Sequence, residues 1–220
     1  MNLEQLIASF RVDADDLEAP FLFRDEWVSM WLSEAQAEAA IRGRLILEDA
    51  NPAVCQIAVT AGQASYELHR CVYEIADLRF MPAGQTTSVA LPLVSREWLD
   101  DKRPGWRDMA GTPEFAIQTD RRIRLVGVPD ADGVLHLEAY RTPIKALESD
   151  SDKPELAEQH HRHLVNWALY RAFSRPDSET INPQRAELAL SAFTRYFGIA
   201  PDSDARRATR HDLHQVNALW

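Results

Sequence analysis

Apolar positions along this chain change their spacing three times. Between Leu3 and Glu48 they recur at helical intervals: Leu3, Leu6, Ile7 and Phe10 predict a short amphipathic helix, and Val28, Trp31, Leu32, Ala35, Ala39 and Ile46 a long one. Pro20 closes the acidic linker Asp13-Ala14-Asp15-Asp16-Leu17-Glu18. Asp25-Glu26 then place negative charge where a helix N-terminus favours it, and Asn51-Pro52 is the expected stop. From Val54 to Ile144 the period is two. Cys55, Ile57 and Val59 alternate with polar or small neighbours, as do Tyr66 and Leu68, and Val89, Leu91 and Leu93. Phe115 and Ile117, Ile123 and Leu125, and Leu135, Leu137 and Ala139 after the Asp130-Ala131-Asp132-Gly133 turn repeat the pattern. Short strands separated by turn residues predict an antiparallel sandwich or meander.

Helical spacing returns from Pro154 to Gly198. Val165, Ala168, Leu169, Ala172 and Phe173 form one stripe, ended by Arg175-Pro176-Asp177; Asn182-Pro183 supplies an N-cap followed by proline, and Ala186, Ala189, Leu190, Phe193 and Phe197 form the next stripe, with Gly198 as its stop. The expected fold is therefore α+β. A helical domain of three or more helices, from residues 1–52 and 151–198, carries an inserted antiparallel β-sandwich-like domain at 53–150, and residues 199–220 extend as a C-terminal arm.

Two segments depart from this packing pattern. Ser95 to Pro113 is too long and charged for a hairpin connection, and loops of that length inside compact domains are usually functional. Its Trp98 and Trp106, with Arg96 and Arg103, have the composition of an interface hot spot, which predicts a contact with another subunit or with the next component of an assembly. The arm is polar at first and ends in apolar residues. Leu213, Val216, Leu219 and Trp220 would be its buried anchors on a partner, with Arg206, Arg207 and Arg210 setting register by charge.

Composition narrows the chemistry. Six Trp in 220 residues favour large interfaces, and a formal net charge of −10 argues against a surface that grips nucleic-acid phosphates. Cys55 and Cys71 lie in apolar runs and read as buried free thiols. The N-terminal residues lack the basic and apolar regions of a signal peptide, and no stretch approaches about 18 uncharged apolar residues, so a soluble, unexported chain with no membrane partner is expected. His160, His161 and His163 with Glu158 have partial metal-site spacing, but their place at the first turn of a surface helix predicts solvent-facing or structural imidazoles. Phosphate-loop, dinucleotide, nucleophile-elbow and metalloprotease motifs are absent. The expectation is no enzyme, no catalytic residue, no metal and no cofactor.

The segment Glu38-Ala39-Ala40-Ile41-Arg42-Gly43-Arg44-Leu45-Ile46 resembles a helix of head-to-tail adaptor proteins of tailed bacteriophages. The resemblance continues through Leu91-Pro92-Leu93-Val94-Ser95-Arg96-Glu97-Trp98-Leu99-Asp100, Arg103-Pro104-Gly105-Trp106 and Gly111-Thr112-Pro113. It returns at His163-Leu164-Val165-Asn166-Trp167-Ala168-Leu169-Tyr170-Arg171-Ala172. It implies a structural protein of the virion, assembled in the host cytoplasm: a ring of identical subunits, commonly twelve, beneath the portal protein. Such a ring extends the channel through which DNA passes without sequence-specific binding, and it presents a platform to a downstream tail or nozzle protein. The residues alone also fit a second reading, a soluble β-sandwich ligand- or carbohydrate-binding module with a helical cap, using Trp98 and Trp106 as stacking platforms.

Overall fold

The computed structural model describes residues 1–176 and 180–202. The fold is α+β, and the chain divides into a helical unit, Met1–Ile46 with Arg141–Ala200, and a strand-built unit, Leu47–Tyr140.

In the helical unit, α1 (Leu3–Ala14) opens on a capping box. The Asn2 side chain accepts from the Gln5 amide and the Gln5 side chain from the Asn2 amide, each at 3.0 Å, which satisfies two otherwise orphaned donors. Helix α2 (Asp25–Gly43) buries Val28, Trp31, Leu32, Ala35, Gln36, Ala39 and Ala40, an unbroken i, i+3, i+4 seam. It ends earlier than its apolar pattern predicts. Arg44 turns into the left-handed region at φ 50°, and a Cβ on Gly43 would come within 2.8 Å of the Leu45 side chain, so Ile46 lies beyond the helix. Asn51-Pro52, expected as a stop, is a start: the Asn51 side chain accepts from the Ala53 amide at the head of α3 (Pro52–Cys55).

Helix α3 belongs to the strand-built unit; the helical unit is completed by α5 (His161–Phe173) and α6 (Pro183–Phe197). Asn182 Oδ1 caps α6 through the Arg185 amide at 3.1 Å, and Gly198 ends it at φ 93°, as the sequence predicts. Helix α5 packs against α1, α2 and α6. The shared core contains Phe10, Phe23, Trp31, Leu164, Val165, Ala168 and Phe193, with Phe23 edge-on to Phe10 and to Phe173.

In the strand-built unit, β8 (Gly133–Arg141) is hydrogen-bonded along one edge to β1 (Leu47–Glu48) and β2 (Gln56–Val59) in succession. Along the other it meets β4 (Val72–Pro82), which in turn carries β5 (Val89–Ala90). A second, antiparallel sheet has the order β3 (Ser65–Glu67), β7 (Arg122–Val126), β6 (Phe115–Gln118). Leu135, Leu137 and Ala139 of β8 and Ile123 and Leu125 of β7 are buried, the period-two signature of one covered face. The Gln118 carboxamide joins the sheets: it accepts from the Ile75 amide and donates to the Tyr73 carbonyl, both at 3.0 Å. Ser95–Pro113 is not a plain loop. It holds α4 (Arg96–Lys102), capped by Ser95, and a short 3-10 turn at Trp106–Asp108.

Candidate assembly surfaces

The segment Ser95–Pro113 turns Trp106 inward. Trp106 is 3% exposed and packs with Val94, Leu99, Ile117 and Val126, while its indole N–H donates to Asp100 Oδ1 at 2.8 Å. Arg107 and Arg124 approach the same ring at 4.4 and 5.1 Å. The Arg107 guanidinium and the Trp106 indole hold the Asp100 carboxyl below its ordinary range. Trp98 is half-buried against Phe115, with ring centroids 5.3 Å apart. Arg103 pairs with Glu114 at 3.2 Å, and Arg96 is exposed. Of the four residues expected at this contact, Trp106 is interior, whereas Arg96, Arg103 and one side of Trp98 face outward. The same burial removes the paired stacking platform that a carbohydrate module would need.

The arm residues Arg206, Arg207, Arg210, Leu213, Val216, Leu219 and Trp220 lie outside the described residues.

At the end of α1 the structure assembles a feature that charge patterning did not reveal. Arg11, with a side chain 10% exposed, donates to Asp16 Oδ2 at 2.8 Å, to the Phe23 carbonyl at 3.1 Å and to Asp25. Asp16, 2% exposed, also accepts from the amides of Leu22 and Phe23 at 2.9 and 3.2 Å. That carboxylate ties the two ends of the α1–α2 connection together, so residues 17–21 project between them. Arg11 stacks on the Phe21 ring at 3.5 Å. Leu17, Phe21 and Leu22 remain exposed on this tip.

A groove of about 470 Å³ opens on the other flank of α1, lined by Asp13, by Arg162, His163 and Asn166 of α5, and by Ala192, Arg195 and Tyr196 of α6. Arg162 binds Asp13 bidentately at 2.7 and 2.9 Å, and His163 lies flat on Tyr196 with centroids 3.5 Å apart. Burial, with Arg162 and His160 nearby, holds His163 below the ordinary imidazole value; burial and His161 do the same to His160. The three histidines divide between solvent-facing and structural roles. His161 is 3% exposed, with Nε2 2.8 Å from the Leu156 carbonyl and Nδ1 2.9 Å from the Met1 amine. His160 Nδ1 lies 3.2 Å from the Tyr196 hydroxyl. Among the described residues, no three His, Cys, Asp or Glu side chains gather as a metal-binding group. Cys55 and Cys71 are buried thiols.

Eight of the eleven large apolar side chains left exposed among the described residues belong to two stretches of the helical unit: Val12, Leu17, Phe21 and Leu22 on one, Ile181, Leu188, Tyr196 and Ile199 on the other. Such concentration marks surfaces that meet other molecules. The family model described as SU10 adaptor protein matches residues 1–215. The chain belongs to that family. SU10 adaptor proteins are head-to-tail adaptors of phages, and membership makes this protein a phage adaptor, a structural component of tail assembly. The adaptor family works in the virion in association with portal and tail proteins. A search of curated proteins returns no match. No described helix is long and apolar enough to cross a membrane.

Proposed function

We propose that this adaptor forms a ring of identical subunits beneath the portal, extends the DNA channel and offers the docking platform for the next tail component, with no catalytic turnover. The observation that carries the reading is the family match over residues 1–215. The concentration of exposed apolar side chains in two stretches of one unit supports it, because a ring needs two different patches on each copy. The net charge of −10 suits a channel that repels duplex DNA and lets it pass. The copy number, commonly twelve, comes from the resemblance alone.

The portal contact belongs to residues 199–220. Leu213, Val216, Leu219 and Trp220 have no core of their own, so the area they need is supplied by the portal, while Arg206, Arg207 and Arg210 pair with acidic groups there. Repetition around the ring turns weak single-arm binding into strong attachment. Arg96, Trp98 and Arg103, with Trp106 holding their segment from beneath, face a neighbouring subunit or the tail component. The deciding experiment compares full-length protein with a chain ending at Gly198 in binding to purified portal, followed by electron microscopy of the complexes. The shorter chain should stay folded, since α6 is already capped at Gly198, yet fail to join the portal. Equal docking by both chains would remove the arm as the determinant.

A further inference from the structure

We propose that the apolar tip formed by residues 17–22 of one copy seats in the α1/α5/α6 groove of the next copy, so that the helical units join head to tail. The inference deepens the ring reading above by naming the two surfaces that meet.

Tip and groove cannot satisfy each other within one chain. Arg11, which anchors the tip, and Asp13, which lines the groove, are two residues apart on α1, hence roughly 200° apart around the helix. The tip is also tied down on its own flank by Asp16 and by Arg11 stacked on Phe21. An apolar projection held in place this way loses little freedom on binding, which favours association.

The two surfaces match in chemistry. The tip offers Leu17, Phe21 and Leu22 around Glu18, which has no cation partner among the described residues. The groove offers Ala192 and Tyr196 beside Arg195, which has no carboxylate partner among the described residues, and exposed Leu188, one turn before Ala192 on α6, extends this apolar rim beyond the groove. Positions 188, 192 and 196 follow one another four apart on α6, and exposed Ile181 and Ile199 lie just beyond its two ends. In this contact Glu18 meets Arg195, and the tip's apolar side chains cover the rim. A second copy fits these demands because the one chain carries both halves. Each copy gives a tip to one neighbour and a groove to the other, a heterologous contact that closes into a ring when the rotation allows.

The test uses full-length protein carrying Leu17→Cys in the tip or Leu188→Cys beside the groove, with and without portal, and a short bismaleimide cross-linker. Both positions are exposed, Cys55 and Cys71 are buried, and the unsubstituted chain reports their background. Mixing the two preparations should give covalent dimers at least about ten-fold faster than either alone, and the doubly substituted chain should give a ladder of oligomers. Glu18→Arg and Arg195→Glu should each slow the reaction, by up to about five-fold for an exposed ion pair, and together restore it. A mixture no faster than its components, with portal and without, overturns the proposal, and so does failure of the paired reversal to restore the rate. A ladder with no ring on the portal keeps the contact and removes the portal reading; a ring on the portal with no ladder keeps that reading and removes the contact.

Discussion

Asp16→Ala should destabilise the helical unit more than its place in an acidic connector suggests. The substitution leaves Arg11 with a side chain only 10% exposed and without its buried carboxylate partner. Removing one partner of a buried pair costs about 3–5 kcal/mol. Arg11 keeps Asp25 and the Phe23 carbonyl, which favours the lower end of that range. The amides of Leu22 and Phe23 lose their acceptor, and the Phe23 amide is buried, adding about 1 kcal/mol. The expected loss is about 3–4 kcal/mol, or roughly 6–16 °C in melting temperature for a protein of this size. Thermal and urea unfolding, followed by the helical far-ultraviolet signal, measure it. Arg11→Met with Asp16→Ala should be less destabilised than Asp16→Ala alone, since the stranded charge is gone. Limited proteolysis should cut Asp16→Ala between residues 17 and 22 sooner than the unsubstituted chain. A loss below about 1 kcal/mol, or a double variant whose losses add, would refute the idea that this pair holds the tip.

Three further outcomes follow from the packing. Trp106→Ala should cost the strand-built unit about 3–5 kcal/mol, with Trp106→Phe milder; unchanged stability with lost assembly would instead make Trp106 a surface anchor. Gly133→Ala should destabilise by about 1–3 kcal/mol, because a Cβ there would meet the Met81 carbonyl and the Phe80 ring at 2.6 Å, and equal melting temperatures would contradict that geometry. His163 should titrate below about 6.5 by NMR, since burial, Arg162 and His160 disfavour its cation while Tyr196 stacks on it. The unfolded chain then takes up the proton first as pH falls, so this contribution is present above the unfolded value and lost on acidification; His163→Phe should flatten that dependence, and a midpoint at or above the unfolded value would refute it.

What the sequence displayed of this fold is what local spacing encodes. The Asn182-Pro183 start, the Gly198 stop, the α5 stripe and six of the strands need only neighbours within a turn or a pleat to declare themselves. Strand β4 did not, although it is the longest of the described strands, because its buried positions Val72, Ile75, Leu78 and Phe80 are spaced three, three and two, which matches neither period. By its spacing helix α2 runs on through Ile46, because apolar residues continue past Gly43, where the backbone, not the pattern, decides. The segment at Ser95–Pro113 hid a helix for a related reason: seven residues are too few to show a face, and only the Ser95 cap marks its start.

The assembly surfaces were harder to read because burial of charge depends on partners that sequence spacing does not supply. Arg11 and Asp16 look like any solvated pair in an acidic stretch, yet together with Phe23 they close the connector and leave Leu17, Phe21 and Leu22 with no interior to occupy. The same connector without that ion pair would have every reason to fold its apolar side chains onto the nearest core. An exposed apolar tip secured by a buried charge is therefore a costly arrangement, and the cost is offset only where another surface covers the tip.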